Sequence, residues 1–326
     1  MTDAVLASDQ TVFVTGATGI VGSWLTKELL RQTARVVILE RDLDPHSELV
    51  RSGDIGKVTC ARGNLEDLAL LERVLVEYDV TVVFHLGAQT QVLHAERQPL
   101  ATLEANVRGT YNLLEAVRRT STPVRALVVA SSDKAYGQSE RLPYREDHPL
   151  AGRNIYDASK SAADLLATAY AASYRLPIGI ARCGNIYGGG DLNWDRIVPG
   201  TIRTILRGGR PVLRSDGSPR RDYIYVDDVV SAYLAMAAAL LEGREYGQAF
   251  NFGHGEPVAV LDLVNEIGRA MGCPHVNPII ESKAPNEIPA QWLDSSKARD
   301  RLDWQPAYQL PEGLARTVTW YRGLLA

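Results

Sequence analysis

Through the first half of the chain, short runs of β-branched and aliphatic residues alternate with longer stretches whose apolar positions recur every three or four residues. Thr11–Val14, Val36–Leu39, Thr81–Leu86 and Arg125–Ala130 read as buried strands, with Val58–Ala61 as a weaker fifth. Ile20–Leu30, Asp67–Glu77 and Pro99–Arg119 carry helical spacing between them. A further helix near Tyr156–Tyr174 leads to another strand, Ile178–Arg182. Such alternation predicts an α/β fold, a doubly wound parallel sheet of the Rossmann type with helices on both faces.

After Asn185 the texture changes. Tyr187-Gly188-Gly189-Gly190-Asp191, Gly208-Gly209-Arg210-Pro211 and Ser215-Asp216-Gly217-Ser218-Pro219 punctuate short elements. The expected organisation is a dinucleotide-binding domain over 1–185 and a smaller substrate-binding lobe over most of 186–326. A return segment near 223–253, with Ala249–Phe252 as its strand, rejoins the main sheet, so the two lobes interleave.

Composition narrows the function classes. Acidic and basic residues are interspersed and the net charge is −4, which speaks against nucleic-acid or membrane-surface binding. No apolar run approaches the roughly 20 residues of a membrane helix, and the opening MTDAVLASDQ lacks signal-peptide character. Cys60, Cys183 and Cys273 are odd in number and lack metal-ligand spacing, which predicts reduced, buried thiols, no metal, and a cytoplasmic protein.

The first strand runs into Gly16-Ala17-Thr18-Gly19-Ile20-Val21-Gly22 and then a helix. Glycines at intervals of three permit a tight turn, close approach of a pyrophosphate and close helix–sheet contact, while the helix N-terminus offers free N–H groups. Gly16, Thr18, Gly19, Ile20 and Gly22 are therefore candidate cofactor contacts. Glu40, Arg41 and Asp42 end the second strand. An acid there holds a ribose diol and favours NAD, whereas Arg41 leaves NADP open.

Tyr156 and Lys160 lie four residues apart, on one face of a helix. A neighbouring ammonium favours the phenolate, so the pair is expected to take a proton from a sugar hydroxyl as hydride leaves for the dinucleotide.

With these features together the sequence resembles the extended short-chain dehydrogenases, the nucleotide-sugar epimerase/dehydratase family, across nearly its whole length. His85-Leu86-Gly87-Ala88-Gln89 matches a family segment that usually has Ala at Gly87, and Asn106-Val107-Arg108-Gly109-Thr110 a family helix motif. The resemblance implies that Asn64, Leu65, Leu86, Gly87, Ala88 and Asn106 lie at the cofactor, although Asn106 has the alternative of bridging backbone groups. Arg182-Cys183-Gly184-Asn185-Ile186-Tyr187-Gly188 matches the loop whose Asn contacts substrate phosphates, Asn185 here, while Arg182 either shares that work or pairs with an acid in the fold. Arg221-Asp222-Tyr223-Ile224-Tyr225-Val226-Asp227-Asp228 resembles the segment whose Arg holds the diphosphate. Gln91, His94, Arg196, Arg214 and Glu287 complete the candidate substrate contacts. Members of the family usually dimerise through the helices matching Pro99–Arg119 and Asn154–Tyr174, which implies a homodimer; Tyr111, Leu114, Ala162, Leu166 and Ala169 are its candidate contacts, although core packing explains them equally well.

Ser131-Ser132-Asp133-Lys134-Ala135-Tyr136-Gly137 bears on the reaction. Simple 4-epimerases resembling this chain have small or apolar residues at Asp133 and Lys134, whereas sugar 4,6-dehydratases have polar ones, Asp-Lys in the CDP-glucose branch. Gly22-Ser23-Trp24-Leu25 and Tyr144-Arg145-Glu146-Asp147 also look closest to that branch. The resemblance thus implies an NDP-hexose 4,6-dehydratase with Tyr156, Lys160, Ser132, Asp133 and Lys134 as its catalytic set. Epimerisation at C4 or at C3/C5, pyranose–furanose isomerisation and a non-catalytic dinucleotide sensor are the alternatives.

Overall fold

A computed structural model describes residues 10–32, 35–283 and 288–326. Seven strands, β1 (Thr11–Thr15), β2 (Arg35–Glu40), β3 (Thr59–Arg62), β4 (Val80–His85), β5 (Ala126–Ser132), β6 (Ile178–Cys183) and β7 (Ala249–Phe252), form one sheet. All its pairings are parallel and its order is β7-β6-β5-β4-β1-β2-β3. The chain reverses direction across the sheet between β4 and β1, which opens a crevice beyond the carboxyl ends of those strands.

The alternation of side chains along each strand builds two cores. Val12, Val14, Val36, Ile38, Val82 and Phe84 face a helical layer that includes α1 (Ile20–Gln32). Phe13, Val37, Leu39, Val83, Leu127 and Val129 face α2 (Leu68–Glu77), α3 (Gly109–Arg119) and α4 (Ile155–Tyr174). Because both faces are covered, the strands read as continuous apolar runs rather than as alternating ones. Leu114, an expected dimer contact, is instead 1% exposed within this second core.

The predicted helix Pro99–Arg119 is broken. Pro99–Leu103 is α-helical, Glu104–Arg108 winds as a wider π turn, and α3 follows. The wide turn presents Asn106 inward, where its side-chain oxygen accepts from Gln89 N (2.7 Å) and its amide donates to Gln89 O (3.0 Å) and Ser159 Oγ (2.9 Å).

The second half is more helical than its punctuation suggests: α5 (Ile197–Leu206), α6 (Val226–Leu241), α7 (Val260–Ala270) and α8 (Leu310–Leu325). Of these, α6 packs beside α1 on the first core, and the chain then returns to the sheet as β7, paired with β6 from Ala249↔Ile180 to Phe252↔Cys183. A three-stranded sheet caps the crevice: Arg220–Arg221 sits between Val258–Ala259 and Ala290–Gln291, in a register that sets Gln291 beside Arg221. Cys183 is buried and Cys60 partly so, but Cys273 is exposed where the chain leaves α7, contrary to the expectation of three buried thiols.

Candidate active site

The crevice is a cleft of about 1520 Å³ running from the glycine turn to α5. Gly16, Thr18, Gly19, Ile20 and Gly22 line its first end. Gly16 has φ +71°, a conformation that side chains resist, and a Cβ on Gly22 would stand 2.0 Å from Gly16 O. The α1 backbone can therefore pass so close to the turn only with glycine at position 22. Leu86, Gly87 and Ala88, beyond β4, and Leu65 form the adjoining wall. Gly87 N donates to Thr15 Oγ1 (3.0 Å), and a Cβ on Gly87 would meet Leu65 Cδ1 at 2.9 Å, which accounts for glycine at that point. Beneath the wall His85 is 4% exposed and bonded to Thr15 Oγ1 (2.9 Å) and Thr110 Oγ1 (3.0 Å); burial pushes its imidazole down to about 3, so it is neutral. This is a cradle of backbone N–H groups and apolar walls of the kind an adenine dinucleotide requires.

Several expected cofactor contacts stand elsewhere. Glu40 does not line the cleft: its carboxylate accepts from Arg62 Nε (3.1 Å) because the last residue of β2 points along the sheet toward β3. Arg41 and Asp42, joined by an ion pair of 2.9 Å, hold the cleft edge instead. Asn64 does not reach the wall, and Asn106 lies behind it as the bridge to Gln89.

The far side of the cradle carries ionisable groups. The end of β5 turns into a short 3₁₀ segment, Asp133–Tyr136, capped by Ser132, whose Oγ accepts from Lys134 N (3.2 Å) and donates to Asp133 Oδ1 (3.0 Å). α4 begins opposite, capped by Asn154 Oδ1 on Asp157 N (2.9 Å). Ser161 Oγ donates to Ala135 O (2.9 Å) and so ties the two turns together. Ser132, Asp133, Lys134, Tyr156, Asp157 and Lys160 consequently all line one stretch of the cleft.

Electrostatics here differ from expectation in one respect. Burial pushes the Tyr156 hydroxyl up to about 12, with Arg196 and Ser132 opposing it and Asp133 and Asp157 adding to it. Lys160 donates to Ala130 O (3.0 Å), and burial pushes its ammonium down to about 8. Burial, and not the lysine one turn away, sets the direction of the Tyr156 shift. Asp133 is 1% exposed and its Oδ2 is buried without a hydrogen-bond partner; Lys134 Nζ donates to Gln291 Oε1.

At the substrate end, Gln91, Asn185, Arg196, Arg214 and Arg221 line the cleft. Asn185 Nδ2 donates to Asp222 O (3.3 Å), Arg196 Nη1 to Asp191 Oδ2 (3.2 Å) and Arg221 Nη1 to Arg220 O (2.9 Å). Arg214 is exposed, 3.4 Å from Asp195. Arg220 is exposed and donates to Pro257 O (2.9 Å). His94 is exposed and off the cleft, and Glu287 lies outside the described residues. Arg182 belongs to the fold: it forms a bidentate pair with Asp164 (2.8 and 2.9 Å) and donates to Tyr136 (2.9 Å).

Sequence reasoning missed Asp157, Asp191 and Gln291. Asp157 stood in plain view beside Tyr156, whereas Gln291 reaches Lys134 only through the pairing of two short strands.

A buried tyrosine and lysine one helical turn apart, beside a glycine cradle at the crossover of a parallel sheet, define a dinucleotide-dependent enzyme site. Residues 12–253 match the model of the NAD dependent epimerase/dehydratase family, and the chain belongs to that family. It is 33% identical over 327 residues to the CDP-glucose 4,6-dehydratase of Salmonella typhimurium, covering 95% of this chain and 90% of the relative. It is also 33% identical to the UDP-glucose 4-epimerase of Mycolicibacterium smegmatis, over 95% and 97% of the two chains. The structure of a dTDP-glucose 4,6-dehydratase from Streptomyces venezuelae with NAD bound aligns with TM-score 0.85 at 27% identity, over 96% and 97% of the two chains. A UDP-glucose 4-epimerase from Thermotoga maritima, solved with UDP-glucose, aligns with TM-score 0.88 at 26% identity, over 97% and 100%. Among the described residues no helix is long and apolar enough to cross a membrane.

Proposed function

We propose that this enzyme removes water across C5 and C6 of a nucleoside diphosphate hexose, as an NDP-hexose 4,6-dehydratase. The observation that carries the reading is Asp133, a buried carboxyl with an unpartnered oxygen, set with Lys134 beside Tyr156 in one cleft. The likeness to 4,6-dehydratases supports it. Bound NAD supplies the hydride acceptor and a positive charge that favours the Tyr156 phenolate. The cradle from Gly16 to Gly22 fits its pyrophosphate, and Asp42 replaces Glu40 as the acid available to its ribose.

In this reading Tyr156 takes the C4 hydroxyl proton, with Lys160 fixing its helix face against Ala130 and Ser132 orienting the C4 oxygen. The 4-ketone acidifies C5–H. Lys134 assists removal of the C5 proton and Asp133 protonates the departing C6 hydroxyl; with the cofactor bound, the hydride taken from C4 would return to C6 and a solvent proton add at C5, so that the net change is loss of one water. Arg196 and Arg221, with Asn185, hold the diphosphate, since guanidinium forks match its oxygens. Residues 1–185 with the return segment are the dinucleotide domain and the remainder is the substrate lobe. Exposed Leu100, Leu103, Tyr111 and Leu165 support a homodimer across the α3 and α4 side, and three free cysteines support a cytoplasmic setting.

The test is incubation with CDP-glucose, dTDP-glucose, UDP-sugars and GDP-mannose in deuterated water, read by mass spectrometry. Loss of one water with deuterium incorporated is expected. Isomers of unchanged composition from every sugar overturn the reading in favour of epimerisation.

A further inference from the structure

The acid that releases water must hold a proton near neutral pH, and the cleft places a second carboxyl beside it. Asp157, directly after Tyr156 and 3% exposed, lines the same stretch as Asp133, and its Oδ1 is also buried without a hydrogen-bond partner. The two turns that carry these acids are tied by Ser161 through Ala135 O and Asp157 O (2.9 and 3.0 Å). Two carboxylates in a dry site cannot both ionise at low cost, and a buried acceptor left without a partner is costly as well.

We propose that Asp133 and Asp157 form a carboxyl pair holding one proton between them, and that this proton is the one delivered to the departing C6 hydroxyl. Asp157 is thereby a positioning residue that keeps the acid loaded. The inference rests on the dehydratase reading for its role and on the two orphaned oxygens for its existence.

Surrounding charges agree with one proton on the pair. Burial pushes the Asp157 carboxyl up to about 6 and the Asp133 charge adds to that rise, although Lys134 and the Asn154 cap oppose it. Tyr156, Tyr144, Cys183 and Asp222 also feel the Asp133 charge, and Lys134 is the cation that acts on Asp157. In the reaction C5 gives up its proton, the C5–H electron pair becomes the C5–C6 double bond, and the C6–O bond breaks as the pair's proton goes to that oxygen and water leaves. The proton Tyr156 took from the C4 hydroxyl equals the one given up, and exchange through solvent resets both.

The experiment uses the NAD-loaded enzyme with the NDP-glucose it turns over. Asp157→Asn is expected to lower kcat for water loss on the order of 10²-fold at pH 7.5 and to move the descending limb of the pH–kcat profile to lower pH, with NAD content unchanged. Asp157→Glu is expected to restore most of the rate. A variant with wild-type kcat and an unmoved profile overturns the proposal. Carboxyl ¹³C titration of Asp-labelled wild-type enzyme separates the two claims. Two coupled carboxyl resonances that change together on Asp157→Asn support the pair even if no water is lost, in which case only the dehydratase reading fails. Independent titration of the two resonances sinks the pair whatever the product.

Discussion

The cradle and the acid–base wall face each other across one cleft, but burial has opposite consequences at the two ends. Beneath the cradle the buried His85 has two hydroxyl partners and is kept neutral, so it carries no charge into that end. Across the cleft the same desolvation acts on Tyr156, Lys160 and Asp157, which are left poised at about 12, 8 and 6. Backbone geometry does the binding at one end, and incompletely paired side chains are available for proton transfer at the other.

This contrast is broken most sharply at Tyr156. Tyr156→Phe should lower turnover by about 10²–10⁴-fold while leaving the NAD content of the purified protein unchanged; equal activity would remove the hydroxyl from the mechanism. The quiet end should be visible as stability. Between the ordinary histidine value of 6.5 and the folded value of about 3, the unfolded chain binds a proton at His85 that the folded chain does not. Stability should therefore fall by a few kcal/mol as pH drops from 6.5 toward 3, and His85→Gln should flatten that part of the denaturant midpoint–pH curve. Gly22→Ala pushes a methyl into Gly16 O and should cost about 1–3 kcal/mol together with most NAD affinity, measured by thermal melts and calorimetric titration. Gly87→Ala is the mildest: its methyl meets the tip of Leu65 and the Thr15 hydroxyl, so under about 1 kcal/mol is expected with NAD still bound.

How much of this could be read beforehand also differs between the ends. The cradle is contiguous, Gly16 to Gly22 after an apolar strand, and such local patterns survive folding unchanged. All seven sheet strands were foreseeable to within a residue or two, including the return at Ala249–Phe252. α6 was not, because Val226–Leu241 is apolar on nearly every side and has no periodic face to recognise. Glu40 pairs with Arg62 while Arg41 and Asp42 line the cleft, because strand phase at the end of β2 decides which of three neighbouring residues meets it. Asn106 was half read: the wide turn that directs it to Gln89 leaves no mark in the spacing. At the acid–base wall the residue types were legible, but their charge states were not. Those depend on desolvation and on Arg196 and Gln291, which arrive from far along the chain.

The last strand of the main sheet reaches it only after the chain has travelled out through the upper lobe. During synthesis, β6 therefore waits with an open flank until Phe252 has left the ribosome, and no shorter N-terminal piece can close that edge. Assembly of the floor and completion of the lid are in this way coupled by a single thread, so neither half is a freely exchangeable part.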